Sequence, residues 1–311
     1  MPRPLWIELS AGLRADVERM LGSAVVDAQS QAGGFSPGSA DRVLLADGRR
    51  AFVKTGDAAV NAECVEIHRM EAAIAVALPA SVPAPRLLGV VDGGDVIAVA
   101  FEDVEGRHPD TPWRMDELTA VLDALHEISR AEVGSDVPLP AIADAYGPPF
   151  GGWRRLFDAG GVVLALPDGL DAWVSARLPA LAEAASVALS DLDGASLLHL
   201  DVRADNLLVR PDGSIVVVDW PWAGRGAPWA DALGLLINVR YYDPSADVEA
   251  LIATHPVFEG MPRDAATRAL AGFAGFFIEA STQPPSPGIP TLREFQRDQG
   301  IATLAWLRER M

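Results

Sequence analysis

The stretch His199-Leu200-Asp201-Val202-Arg203-Ala204-Asp205-Asn206 decides how this chain is read. It sets Asp201 five positions before Asn206, and the apolar run Leu207-Leu208-Val209 follows at once, as a strand would. Pro211-Asp212-Gly213 supplies a turn, and Ile215-Val216-Val217-Val218-Asp219-Trp220 a second strand ending on another aspartate. A tight hairpin here folds Asp219 back beside Asn206, with Asp201 nearby. Two carboxylates and an amide oxygen at the mouth of a short sheet suit a hard, oxygen-preferring cation such as Mg²⁺ carrying phosphate.

Outward from that stretch, the 311 residues leave room for two lobes with separate cores. Half the residues are hydrophobic and 22% charged, a globular balance rather than a disordered one. A net charge of −18 argues against nucleic-acid binding, because a phosphate backbone would be repelled; it permits a cationic small substrate without demanding one. Cys64 is the single cysteine, which excludes an intrachain disulfide and a cysteine-based zinc site. No apolar run is long enough to cross a bilayer, and Met1–Glu8 lacks the apolar core of a signal peptide, so a soluble cytoplasmic protein without a membrane or obligate protein partner is expected.

The amino-terminal third reads as a helix over Leu9–Leu21 capped by Ser10, then strands at Ala24–Ala28, Arg42–Leu45 and Ala51–Lys54. Gly33-Gly34-Phe35-Ser36-Pro37-Gly38 lies between the first two strands. Backbone amides of such a loop can cover phosphates, although a plain hairpin connection gives the same pattern; no G-x-x-x-x-G-K-[ST] occurs, which excludes a P-loop. Lys54 is the only lysine in a chain that otherwise uses arginine. A compact ammonium suits a tight site gripping phosphate oxygens better than a planar fork does. The helix predicted over Ala59–Ala77 offers Glu63, Glu66 and Glu71 as partners for it. Strands at Arg86–Val91 and Val96–Phe101 complete a five-stranded antiparallel sheet, and Glu102–Gly106 connects it to a mainly helical remainder. There, helices are expected at Met115–Ile128, Leu170–Leu189, Ala246–Thr254, Ala265–Ala280 and Leu292–Arg310.

Together these residues resemble the aminoglycoside phosphotransferase family, small-molecule kinases of protein-kinase-like fold. The resemblance spans nearly the whole chain: Lys54 on the third strand, the Val82-Pro83-Ala84-Pro85 segment, the Asp201…Asn206 loop and Val217-Val218-Asp219-Trp220. It implies an α+β, two-lobe fold, with an amino-terminal nucleotide lobe over residues 1–103 and a carboxy-terminal catalytic and acceptor lobe over 104–311. It further implies ATP or GTP between them, under a loop including Gly33, Gly34 and Ser36 and against a hinge from Glu102 to Val104. Lys54, paired with Glu71, would hold the α- and β-phosphates. Asp201 would accept or orient the acceptor hydroxyl proton, and Asn206 and Asp219 would ligate Mg²⁺.

The loop also departs from the family's H-G-D-x-H. Leu200 stands for the glycine, and Arg203 for the second histidine, where it either neutralises the transferring phosphate or serves as a surface or structural arginine. Pro221 stands where many relatives carry an acid, which leaves the metal count open, and Trp220-Pro221 argues against a flipping segment. His199 is read as scaffold, Asp231 as a brace for the catalytic loop's backbone, and Asp205 is undecided. The expected activity is transfer of a γ-phosphoryl group to a hydroxyl of a small molecule, an antibiotic or a metabolite. The alternative is a catalytically silent nucleotide-binding module. No activation-loop or A-P-E pattern points to a protein acceptor.

Overall fold

The computed structural model describes residues 3–31, 38–134, 137, 139–160, 165–286 and 289–311. Helix α1 (Ala11–Leu21) starts at Ser10, whose hydroxyl accepts the Leu13 N–H at 3.2 Å. The strands are β1 (Val25–Ser30), β2 (Ala40–Leu45) and β3 (Arg50–Asp57), followed by helix α2 (Ala58–Ala77), β4 (Leu87–Asp92) and β5 (Val96–Glu102). They form the one five-stranded antiparallel sheet expected, and its strand order is β1-β2-β3-β5-β4.

Strand alternation distributes the sheet between two cores. Ala98 and Ala100 of β5 join Val53 of β3 and Val17 and Leu21 of α1, whereas Ile97, Val99 and Phe101 face α2. Lys54 follows Val53 and pairs with Val99, so the same alternation turns it toward α2. Inside α2, Asn61 leaves helical geometry and its carboxamide oxygen caps the continuing helix by accepting the Cys64 N–H at 3.2 Å.

The remainder contains α3 (Met115–Ser129), α4 (Ile142–Phe150), α5 (Gly152–Asp158) and α6 (Leu170–Asp191). Short strands β6 (Ser196–Leu198), β7 (Leu207–Val209), β8 (Ile215–Val217) and β9 (Gly224–Gly226) come next, then α7 (Ala230–Tyr242), α8 (Val248–Thr254), α9 (Ala265–Ser281) and α10 (Leu292–Arg310). β6 pairs with β9, and β7 with β8, around one large core that includes fully buried Trp153 and Trp306. Among the described residues no helix is long and apolar enough to cross a membrane.

Three elements differ from expectation. The strand expected to reach Trp220 ends at Val217, because Asp219 takes φ +68°, incompatible with extended backbone. Helix α4 lies outside the expected helices, since the prolines of the stretch Val133–Pro149 read as irregular chain, yet it runs through Pro148 and Pro149. Helix α7 is buried at Ala230–Leu233 and Leu235–Arg240; a helix buried on nearly every side has no amphipathic period to read.

Candidate active site

The β7–β8 hairpin brings the two aspartates of the opening stretch together. Leu207 pairs with Val217, and Gly213 in the turn takes φ +83°, which glycine adopts without strain. The Val218 N–H donates to the Asn206 carbonyl at 2.9 Å, setting Asp219 beside Asn206. The Asn206 amide nitrogen donates to the Asp201 carbonyl at 2.8 Å and to Asp201 Oδ2 at 3.0 Å. That orientation commits the amide's donor side inward and leaves Oδ1 as the oxygen it can offer a cation.

Across the cleft, Lys54 Nζ donates to Glu71 Oε1 at 2.7 Å and to Asp219 Oδ1 at 2.8 Å. Glu71 is therefore the partner among the three helix glutamates; Glu66 pairs instead with Arg69 on the surface. Burial disfavours the ammonium, but Asp219 and Glu71 outweigh it and hold Lys54 firmly protonated. Burial likewise works against the Asp219 carboxylate, and Lys54 reverses that, lowering it to about 2. Behind the pair, His68 stands 3.6 Å from Glu71 Oε2 and 3.6 Å from Cys64 Sγ. Burial pulls the His68 imidazole down, yet Cys64 and Glu71 push it up to about 9.

Asp201 sits in a loop whose backbone is held from several sides. The Asp231 carboxylate accepts the N–H groups of His199 at 2.6 Å and Leu200 at 2.9 Å, the bracing role expected of it. Tyr146 donates its hydroxyl to the Leu200 carbonyl at 2.8 Å. Leu200 itself adopts φ +65°, so the position filled by glycine in the resembling loop does require left-handed backbone, and leucine meets that requirement under strain. His199 is fully buried; its Nε2–H donates to the Val218 carbonyl at 3.0 Å and its Nδ1 accepts the Asp201 N–H at 3.3 Å. Both ring nitrogens are thus used within the protein, and burial holds the imidazole neutral by lowering its affinity for a proton. Trp220 packs edge-on against it at 4.7 Å and donates its indole N–H to the Val217 carbonyl at 2.8 Å, which anchors the segment after Asp219.

Burial raises Asp201 to about 6, opposed by Arg203 and assisted by Asp219 and Asp205. The Arg203 guanidinium contacts Asp201, grips both oxygens of Asp205 at 3.0 Å each, and lies over the Phe295 ring at 5.5 Å. It is therefore neither an exposed arginine nor remote from Asp201.

These groups line one cavity of about 780 Å³ that runs between the sheet and the helices. Glu102 and Val104 also reach it; the Glu102 carboxylate holds Arg86 at 2.7 Å, and the Val104 carbonyl accepts from Arg42 at 2.9 Å. Asp103 between them is clamped by Arg42 at 2.6 Å and Arg50 at 2.8 Å. Gly33, Gly34 and Ser36 lie outside the described residues. Tyr146, Arg42, Asp103 and His68 carry no motif in the sequence; only their packing reveals them.

The family profile described as the phosphotransferase enzyme family matches residues 34–268. The chain belongs to that family. A spectinomycin phosphotransferase, solved with ADP and spectinomycin, shares 13% identity, with 97% of this chain and 99% of that one superposed at a TM-score of 0.62. The macrolide 2′-phosphotransferase of Brachybacterium faecium shares 15% identity over 94% of this chain and 96% of that one, at a TM-score of 0.58. The choline kinase of Streptococcus pneumoniae shares 12% identity over 94% and 98%, at a TM-score of 0.56. At these identities the structural likeness concerns the fold, which is the α+β, protein-kinase-like fold expected. No curated protein gives a significant sequence match.

Proposed function

We propose that this family member transfers the γ-phosphoryl group of ATP or GTP to a hydroxyl of a small molecule, with residues 1–103 as the nucleotide lobe and 104–311 as the acceptor lobe. The observation that carries the reading is the bridge from Lys54 to both Glu71 and Asp219, made in the same cavity as Asp201 and Asn206. In this reading Lys54 grips the α- and β-phosphates while Glu71 holds its ammonium in place. Gly33, Gly34 and Ser36 cover the phosphates, and the Glu102–Val104 hinge holds the base through its backbone.

Asn206 Oδ1 and the ionised Asp219 carboxylate are hard oxygen donors, a set that fits Mg²⁺, which takes few protein ligands and completes its shell with phosphate and water. When bound, Mg²⁺ neutralises charge on the β- and γ-phosphate oxygens. Asp201 orients the acceptor hydroxyl and takes its proton as the oxygen–phosphorus bond forms. The bond from the γ-phosphorus to the bridging oxygen breaks, and the nucleoside diphosphate leaves. Arg203 supplies positive charge beside Asp201, which opposes the effect of burial and keeps that carboxylate available. Such a reaction needs mainly positioning and electrostatics, which these groups provide.

The test is mass spectrometry of hydroxylated compounds incubated with each triphosphate and Mg²⁺, searching for one added phosphoryl group. Asp201→Ala is expected to abolish transfer while nucleotide affinity persists. Nucleotide binding with no transfer to any compound would favour the silent module.

A further inference from the structure

The cavity's two sides differ in chemistry. Its sheet side carries Lys54, Glu63, Glu71 and Arg42, whereas the helical side beyond Asp201 is lined by Tyr146, Ile237, Phe273, Phe276, Phe277 and Phe295. The Tyr146 and Phe273 rings meet edge to face at 5.3 Å, and Phe276 lies 5.0 Å from Phe277, so the wall is a packed aromatic surface rather than scattered side chains. Helices α4, α9 and α10 contribute no charged residue to the cavity among those described, and α7 contributes only Asp231. Both Asp231 oxygens accept loop N–H groups, and both Asp205 oxygens accept from Arg203.

On the reading of the Asp201 side as the acceptor half, we infer that the acceptor is a bulky, largely apolar alcohol bearing at most one positive charge. A polyamine-bearing sugar would lose water from several ammonium groups against a wall whose carboxylates are already committed, which is unfavourable. An apolar scaffold gains by leaving water there. The chain's net charge of −18 thus does not make the acceptor wall anionic.

The probes are erythromycin, with one amine on a macrolactone; erythronolide B, its uncharged lactone core; and kanamycin, a polycation. Binding to the full chain with ADP and Mg²⁺ is measured by calorimetry. Both lactones are expected to bind at least ~10-fold more tightly than kanamycin. Phe276→Asp is expected to improve kanamycin relative to the lactones. Kanamycin binding as tightly as the lactones, failure of both lactones to bind, or indifference of the kanamycin-to-lactone ratio to Phe276→Asp overturns the inference. Lactones that bind but gain no phosphate from ATP or GTP instead overturn the phosphotransferase reading alone.

Discussion

Lys54 and Asp219 stand 165 positions apart in the chain and meet across the cleft, Nζ to Oδ1, at 2.8 Å. One comes from a sheet strand and the other from a loop after a hairpin, so the contact couples the two sides of the cavity. Glu71, 3% exposed, accepts from the same ammonium.

Removing that ammonium leaves two carboxylates without their shared cation. Lys54→Met is expected to lower kcat about 10²–10³-fold, in line with the loss of one preorganised electrostatic contact. Lys54→Arg is expected to recover little, because a planar fork cannot replace a point charge between Glu71 and Asp219. Steady-state kinetics with varied triphosphate checks both.

The Asp231 brace makes a separate prediction. Asp231→Ala strips the acceptors from two buried N–H groups, at about 1–3 kcal/mol each, so a clear fall in stability in urea is expected. Asp231→Asn keeps one acceptor oxygen and should fall between. The loss of kcat should exceed any rise in nucleotide KM, since the brace acts on the Asp201 loop.

Leu200, at φ +65°, tests the loop's backbone requirement. Leu200→Gly relieves about 1–2 kcal/mol of left-handed strain, offset by about 0.5–1 kcal/mol of chain entropy and by lost packing over Gly224, so little net change is expected. Leu200→Ile keeps a large apolar side chain but adds β-branching, and should be the more destabilising of the two. Equal melting temperatures for the two variants would contradict the strain argument.

His68 links stability to pH. Its affinity for a proton rises from the ordinary 6.5 to about 9 on folding, so its stabilisation is complete below 6.5 and is lost as pH climbs through about 9. The melting temperature is expected to decline over that window, and His68→Gln should flatten the decline. Calorimetric scans at stepped pH measure it.

Much of the site was legible because its signals are local. The single lysine at a strand end, the Asp201…Asn206 spacing and the turn before Asp219 are short patterns, and each strand of the sheet announces itself through alternation and turn residues. The pairing with Glu71 followed only through the family resemblance, since Glu63 and Glu66 share the same helix. Helix α7 escaped notice because it is buried on nearly every side, and α4 because its prolines read as loop.

By itself, then, the chain determined which few groups carry charge toward a phosphate and which strands and caps hold them, since those depend on neighbours within a turn or two. Tertiary structure alone decided that Arg42 clamps Asp103, that Tyr146 supports the Leu200 carbonyl, and that aromatic residues from α4, α9 and α10 form one wall. Those relations join segments far apart in the chain, and only close packing selects which of many apolar and acidic side chains come to face the same cavity.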